Sequence, residues 1–323
     1  MMHMLDPKLL KQQTAQRLSA ASYSPRRLAL IHTGVSLVCS LVLTVISFLL
    51  SQQVAGTGGL SGLGTRAVLQ SVQSVLSMVL SLAMPFWGFG FVAAVLGLAR
   101  KQRVEPRDLT AGFRKVGPIA RLLLLQAALY GVMAFAAIQA STIAVMMTPA
   151  GNGLAEIMER LSRDTEFMQY GVLPEEMMEP LLKAATPVYA GAAVLFVGLA
   201  IPVTYRVRLA PYIVMEEGNN RAFRALLQSN RLMRGHGFAF FKLDISFWWY
   251  WLLQVLCSVL AYGDVWLPMV GVELPFDADV ALFVFCGVQI LGASVLAWCW
   301  RAPVETTYAV AYNALAGEPK KDS

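Results

Sequence analysis

The residues whose types and spacing could do chemistry concentrate on one apolar segment near residue 250. Asp244 stands about two turns inside that segment, and at 100° per residue Gln254 and Ser258 fall on the same side of a helix. A carboxylate that faces lipid is costly, so an ionisable residue at this depth predicts a buried contact or a ligand site. The predicted intramembrane polar site comprises Asp244, Trp248, Trp251, Gln254 and Ser258, with Arg206 and Arg301 from neighbouring segments.

Two interpretations of Asp244 are open. In the first, Arg206 or Arg301 pairs with the carboxylate, and the ion pair holds neighbouring helices together. In the second, Asp244 is the centre of a substrate or proton site. Trp248 and Trp251 either pack between helices or line a cavity, because a tryptophan near the middle of a bilayer is away from the interfaces that it prefers.

Catalytic and metal-binding signatures are missing from the sequence. His3, His32 and His236 are isolated, and the 4 cysteines lie in apolar segments without a CxxC pair. The chain has no HExxH, GxSxG or phosphate-loop motif. The sequence therefore predicts a protein that is not an enzyme and that uses neither a metal nor a cofactor.

The elements that must position these residues are membrane helices. The chain of 323 residues is 57% hydrophobic and 14% charged, whereas soluble domains carry about 25% charged residues. A helix of about 20 apolar residues crosses the hydrocarbon core of a bilayer. The apolar runs predict an all-α transmembrane bundle of about six helices, at 28–50, 68–99, 119–147, 188–205, 238–262 and 281–300.

The distribution of Lys and Arg predicts the orientation. With the N-terminus inside, 22 of the 26 Lys and Arg residues face the cytoplasm, as the positive-inside rule requires. Residues 1–27 then form a basic cytoplasmic segment, 28–315 a single six-span domain and 316–323 a cytoplasmic tail. The acidic outer loop, 149–187, is predicted to contain two short amphipathic helices. Nucleic acid is not a predicted partner, because no compact basic domain lies between spans.

An internal repeat predicts three helical hairpins. Spans two, four and six carry Pro85, Pro202 and Pro303 inside apolar sequence, and each continues with helical character beyond its proline. We expect these even-numbered helices to kink at the proline and to project into the cytoplasm.

A basic amphipathic segment follows the second repeat. Arg221, Arg224 and Arg231 fall on one side of a helix there. A helix of this kind is expected to lie in the anionic inner interface of the membrane. Its predicted apolar face comprises Phe223, Leu226, Leu227 and Met233.

The run NNRAFRALLQSNRLMRGHGFAFFKLDISFWWYWLL resembles the family of bacterial integral membrane proteins called DUF975. The pattern is carried by Ser229, Met233, Gly235 and Ser246, with Asp244 in the span that follows. The resemblance implies a multi-span protein of the bacterial plasma membrane and supplies no known activity. Gly235 is expected to end the interfacial helix, because glycine tolerates a positive φ.

Two functions fit these observations. The first is a non-enzymatic membrane module that binds lipid, an amphipathic peptide or another membrane protein. The alternative is a transporter of small solutes or lipid, supported by the repeats, the proline-broken helices and Asp244. A cavity open to the cytoplasmic leaflet would favour lipid binding, and a water path reaching both faces would favour transport.

Overall fold

The chain is built from helices, and the computed structural model describes residues 5–56, 60–163, 175–217, 222–263, 267, 272 and 277–317, in which no strand occurs. The helices are α1 (Pro7–Ser19), α2 (Pro25–Gly56), α3 (Leu60–Ala99), α4 (Ala111–Arg114), α5 (Val116–Met146), α6 (Pro149–Arg163), α7 (Glu175–Val207), α8 (Ala210–Glu217), α9 (Ala222–Met233), α10 (Gly237–Ile245), α11 (Trp248–Ala261), α12 (Ala278–Leu296) and α13 (Ala302–Ala316). A 3₁₀ turn, Pro106–Thr110, precedes α4, and a π turn, Ala297–Arg301, joins α12 to α13.

The described residues contain 5 helices that are long and apolar enough to cross a membrane. They are Pro25–Leu49, Gln70–Ala99, Val116–Met146, Met177–Glu216 and Val280–Ala316. Helices α10 and α11 pass the same test only together, and they are bent by 68° relative to each other. Counted as one broken span, the pair raises the number to 6. The predicted all-α transmembrane bundle is therefore confirmed.

Two of these helices are about twice as long as a crossing of the hydrocarbon requires. Met177–Glu216 contains 40 residues and Val280–Ala316 contains 37, against about 20 for a crossing of the hydrocarbon. Both continue past their prolines, Pro202 and Pro303. Part of each helix must therefore lie outside the hydrocarbon or be tilted. The predicted kinks at the prolines stay a prediction.

Clustering of contacts divides the chain into two compact units. The first comprises Met1–Ile119 and Leu209–Ser323, and we call it the split unit because its two parts are distant in sequence. The second comprises Ala120–Arg208, and we call it the hairpin unit because it contains α5 and α7.

The core of the split unit lies around α13. This helix is buried on all sides, which is typical of a helix at the centre of a protein. It packs against α1, α2 and α3, and α8 packs against α3. The buried residues of α13 are Ala302, Val304, Thr306, Thr307, Tyr308, Ala309, Val310, Ala311, Tyr312 and Asn313.

Two glycines let the segment 106–114 lie directly on α3. A Cβ atom at Gly90 would stand 1.7 Å from the carbonyl oxygen of Leu109, and one at Gly112 would stand 1.9 Å from the carbonyl oxygen of Phe86. Both obstacles are backbone atoms, which cannot rotate away as a side chain can. Only glycine fits at these two positions.

In the hairpin unit, two side-chain contacts join α5 to α7. The Ser141 hydroxyl donates to the carbonyl oxygen of Val188 at 2.7 Å, and the hydroxyls of Tyr130 and Thr204 lie 3.0 Å apart. Gly191 makes room for this approach, since a Cβ atom there would stand 2.4 Å from Ser141 Oγ.

The acidic segment 149–187 differs from its prediction. Its first helix is present as α6, and two exposed arginine–glutamate pairs stabilise it at i,i+4 spacing. The second predicted helix is not a separate element. The helix that begins at Glu175 continues through Pro180 and Pro187 to Val207 as α7. Each of these prolines lies beyond the first turn and removes one backbone hydrogen bond, which a membrane helix tolerates because neighbouring groups can satisfy the freed carbonyl.

Candidate functional site

A bend divides the stripe of polar residues, Asp244 to Ser258, that the sequence predicts on one side of a single straight helix. Asp244 lies in α10, whereas Trp248, Gln254 and Ser258 lie in α11. At the break, the N–H of Phe247 donates to the Asp244 carbonyl oxygen at 2.9 Å and closes a turn. Because the two helices are bent by 68°, a shared angular position does not continue from one to the other. The stripe is two separate groups of residues.

Asp244 contacts the buried helix α13. Its carboxylate accepts a hydrogen bond from the hydroxyl of Tyr308, which is 3% exposed. The ring of Tyr308 also lies 6.3 Å from that of Phe247. A hydrogen bond to a carboxylate is a strong one, so this contact fixes the end of α10 against the core.

The two arginines predicted with Asp244 lie in different units. Arg206 is in the last turn of α7, in the hairpin unit, and its pairing with Asp244 stays a prediction. Arg301 ends the π turn in the split unit and donates to Thr33 Oγ1 at 2.7 Å.

The polar residues of α11 line an open groove of about 440 Å³. The Ser258 hydroxyl donates to the carbonyl oxygen of Gln254 at 2.9 Å, a contact within one helix that needs no ligand. The other residues along the groove are apolar or aromatic. Together its lining consists of Gln254, Val255, Ser258, Val259 and Tyr262.

The tryptophans of α11 point outward near the bend. Trp248 and Trp251 are 49% and 38% exposed, and the ring of Trp248 lies 3.8 Å from that of Trp249. Since α11 begins at Trp248, these side chains stand at a helix end and not in the middle of a long span. Such a position suits a membrane interface, where tryptophan is common.

A polar cluster that sequence reasoning missed lies between α2, α3 and the π turn. His32 is 4% exposed, and its ring is stacked on Trp87 at 5.6 Å and lies 4.6 Å from Phe91. The guanidinium of Arg301 lies 5.1 Å from the same Phe91 ring. Neither ring nitrogen of His32 has a hydrogen-bond partner among the described residues. His32 therefore packs as an aromatic ring, and no motif marks that role in the sequence.

The ends of the three predicted repeats meet in a buried polar cluster. Arg100 at the end of α3 lies 2.6 Å from Glu216 of α8 and donates to Asn313 of α13 at 3.1 Å. The second oxygen of Glu216 accepts from the hydroxyl of Tyr312. The side chains of the ion pair are only 13% and 25% exposed. We call these four residues the repeat-end cluster. The cluster joins the helices that follow Pro85, Pro202 and Pro303.

Two lysines bind backbone carbonyls in the split unit. Lys115 donates to the carbonyl of Met215 in α8, and Lys11 donates to the carbonyl of Ser246 at 2.6 Å. The Lys11 ammonium also lies 4.1 Å from the ring of Phe247. Burial lowers the pKa of both lysines below the ordinary value, because desolvation disfavours the charged form. The positive charges are favourable beside carbonyls that end a helix.

The four residues of the family pattern lie at turns and tight contacts around α9 and α10. Ser229 is fully buried, and its hydroxyl oxygen accepts from the N–H of Leu209 at 3.1 Å. Met233 is 3% exposed, and Gly235 has a φ of 83°, which confirms that glycine ends α9 in a left-handed turn. The Ser246 hydroxyl donates to a carbonyl at 2.6 Å where α10 ends.

The likeness to the family that this pattern suggests extends over most of the chain. The profile of the family described as "Protein of unknown function (DUF975)" matches residues 13–314. The chain belongs to the DUF975 family. That match runs from α1 to α13, so both compact units lie within it. The chain matches no curated protein and no solved structure. Membership and the apolar helices together identify a membrane protein of unknown activity.

In this DUF975 protein, part of the predicted apolar face of α9 is exposed. Phe223 and Leu227 are 63% and 44% exposed, whereas Met233, predicted with them, is buried. The buried face instead carries small residues such as Ala225 and Ser229, because these let α9 pack closely on α8. Arg224 and Arg231 are exposed on the same helix, and Arg221, which was predicted with them, lies outside the described residues.

Helix α10 also exposes aromatic and cationic side chains. Phe238 and Phe241 are 66% and 45% exposed, and their rings are stacked 6.2 Å apart. The ammonium of Lys242 lies 4.8 Å from the Phe238 ring. We call the exposed aromatic, apolar and cationic residues of α9, α10 and the turn between them the interfacial surface. It comprises Phe223, Leu227, Phe238 and Phe241 with Arg224, Arg231, Arg234 and Lys242.

Proposed function

We propose that this protein is a non-enzymatic membrane module that binds anionic lipid headgroups through the interfacial surface. The observation that carries the proposal is the alternation of exposed aromatic rings and exposed cations on two adjoining helices. Rings at the boundary between headgroups and acyl chains bury apolar area, while nearby cations attract anionic phosphates.

The bend supports this placement. When α11 follows the bilayer normal, α10 is inclined by 68° to it and lies close to the membrane plane. Phe238 and Phe241 can then enter the acyl boundary while Lys242 reaches the phosphate layer, as long cationic side chains do. In the proposed orientation this surface and both termini face the cytoplasm of a bacterium, where the inner leaflet of the plasma membrane is anionic.

The alternative, transport through a site around Asp244, has weaker support. The carboxylate binds the Tyr308 hydroxyl, and the bend separates Asp244 from Gln254 and Ser258 of α11. The polar groups expected to surround one substrate therefore belong to two differently directed helices. Lipid binding requires only side chains that are exposed on α9 and α10 in the structure.

The proposal is tested with the purified full chain in nanodiscs of phosphatidylcholine, with and without phosphatidylglycerol. We expect phosphatidylglycerol to raise the thermal midpoint, because a ligand that prefers the native state stabilises it. A variant carrying Arg224→Gln, Arg231→Gln and Lys242→Gln should lose that increase. Salt at about 0.5 M should reduce the increase in the unaltered protein, since ions screen exposed charges.

The matched control carries Arg160→Gln, Arg163→Gln and Lys183→Gln, three exposed cations of the hairpin unit. It removes the same charge and should keep the full response to phosphatidylglycerol. Equal losses in the two triple variants, or no response of the unaltered protein to the anionic lipid, would overturn the proposal.

A further inference from the structure

The open groove on α11 holds a polar side chain that has no partner among the described residues. This side chain is the amide of Gln254, which offers two N–H donors and one acceptor oxygen. The Ser258 hydroxyl binds the backbone carbonyl of Gln254 and leaves the amide unpaired. Gln254 is only half-buried, so its amide is within reach of a neighbouring molecule.

The position of Gln254 along α11 makes an unpaired amide costly. Trp248 begins the helix and Tyr262 follows its last residue, and their side chains are 49% and 65% exposed. Tryptophan and tyrosine prefer the two interfaces of a bilayer, so these residues mark the two ends of the helix in the membrane. At 1.5 Å per residue, Gln254 lies about 9 Å from the first and about 12 Å from the second. No water reaches an amide at that depth, so it needs another hydrogen-bonding partner.

Lipid alone does not meet this need. Val255 and Val259 beside the amide are 60% and 46% exposed, and acyl chains could cover them. An acyl chain has no donor or acceptor, however, and it would leave the amide of Gln254 unpaired. In membranes, glutamine and serine side chains of one helix pair with those of another helix. The groove therefore fits a second helix.

A second copy of this chain supplies the required helix. Two copies that insert in the same direction are related by a two-fold axis along the bilayer normal, so equivalent residues face each other at the same depth. Gln254 then faces the partner's Gln254, and two amides can exchange two hydrogen bonds because each both donates and accepts. No acidic or basic residue lines the groove, so two identical surfaces meet without repulsion between like charges.

We propose that the protein forms a dimer in the membrane, in which the α11 grooves of two copies pack together and the two Gln254 amides pair. Ser258 lies one turn further on the same side of α11, and its oxygen can still accept a hydrogen bond across the interface. The two valines supply van der Waals contact beside the amides. The proposal does not rest on the binding of anionic lipid, because the groove and the interfacial surface share no residue.

The test counts subunits of the purified full chain, labelled with a fluorophore at its N-terminus, by stepwise photobleaching in liposomes. The liposomes contain phosphatidylcholine alone, so that anionic lipid has no part in the result. A series of protein-to-lipid ratios gives the dissociation constant of the dimer. We expect dimers whose fraction falls as the protein is diluted in lipid.

Variants at Gln254 test the role of the amide. Gln254→Leu replaces it with an apolar side chain that suits lipid, so the monomer should fold as before while the dissociation constant rises about tenfold. Gln254→Asn keeps an amide and should retain part of the affinity. The matched control is Gln139→Leu, which removes an exposed glutamine from α5 of the hairpin unit and should leave the dissociation constant unchanged.

Cross-linking locates the contact between the copies. In a variant whose four cysteines are replaced by alanine, Ser258→Cys places a thiol in the groove. Leu256→Cys places one at a similar depth but about 160° away around the helix. Both positions are exposed. We expect oxidation to give a covalent dimer on a denaturing gel through residue 258 and not through residue 256.

Three results would overturn the proposal. The first is a monomer at every protein-to-lipid ratio, which would mean that lipid or another part of the same chain covers the groove. The second is a dimer that Gln254→Leu leaves unchanged or that Gln139→Leu weakens equally. The third is a dimer that cross-links through residue 256 at least as readily as through residue 258, because the copies would then meet on another face.

Discussion

Both compact units depend on a glycine at a close contact between elements, but the obstacle beside each glycine differs. In the split unit, a Cβ atom at Gly90 would meet the backbone carbonyl of Leu109 at 1.7 Å. In the hairpin unit, one at Gly191 would meet the side-chain hydroxyl of Ser141 at 2.4 Å. A hydroxyl can rotate, whereas a carbonyl moves only with its chain. The first contact is therefore rigid and the second can adjust.

The ion pairs of the two units differ in how far they are buried. The pair of Arg100 with Glu216 in the split unit is 13% and 25% exposed, whereas that of Arg160 with Glu156 in the hairpin unit is 65% and 63% exposed. Water screens the exposed pair, so it contributes little to stability. Burial therefore determines how much each of these ion pairs contributes to the stability of the protein.

The largest effect is expected for Gly90→Ala. The methyl group would force the segment 106–114 away from α3, and overpacking against backbone should lower the free energy of unfolding by about 3 kcal/mol or more. Unfolding of the purified chain in one detergent, followed by circular dichroism, measures the change. A loss below about 1 kcal/mol would show that the segment moves freely, contrary to the comparison.

The next effect concerns the repeat-end cluster. Arg100→Gln leaves Glu216 without its cation in a largely buried site and should lower the free energy of unfolding by about 2–3 kcal/mol. The same change at an exposed pair, Arg160→Gln, should cost at most about 0.5 kcal/mol. Thermal unfolding of both variants under identical conditions gives the difference. Equal costs would remove the distinction between buried and exposed pairs.

A smaller effect is expected for Gly191→Ala. The new methyl group displaces the Ser141 hydroxyl from the Val188 carbonyl, and the cost should be about 1 kcal/mol because the hydroxyl can rotate. The double variant with Ser141→Ala should lose less stability than the two single variants lose in total, since the second change removes the obstacle. Additive costs in a double-mutant cycle would contradict the geometry of this contact.

The smallest effect has the opposite sign. His32 has no hydrogen-bond partner among the described residues for either ring nitrogen, so His32→Phe keeps the stacking on Trp87 and removes unpaired polar groups. We expect the free energy of unfolding to rise by about 1 kcal/mol. A loss of that size, measured by the same unfolding assay, would mean that the imidazole binds a group essential to the fold.

The sequence predicts the helices well, because length and apolar composition alone decide whether a segment crosses a bilayer. Gly235 was also predictable, since few other residues accept a φ of 83°. The bend after Ile245 was not, because no proline or glycine stands between α10 and α11. It depends on tertiary contacts such as that of Asp244 with Tyr308, and helical periodicity carries no information about them.

The candidate sites were less predictable than the fold. Arg100 and Glu216 are 116 residues apart in sequence, and the ion pair forms only after α3, α8 and α13 have packed together. Lys101 resembles any other cation after a span, and its residue type does not suggest the left-handed φ of 56° with which it ends α3. Periodicity places side chains on faces, but the partner of each face is set by packing across the whole chain.

The π turn between α12 and α13 has a consequence for the evolution of the family. A π turn contains one residue more than the α-helical turn that it replaces. The side chains of α12 and α13 therefore keep the same orientation relative to each other despite the extra residue. A relative that lacks one residue within Ala297–Arg301 can form an unbroken helix with α13 in the same orientation. A deletion inside α13 would instead rotate every later residue by about 100° and expose the buried ring of Tyr312. Length variation among relatives is therefore expected at this turn and not in α13.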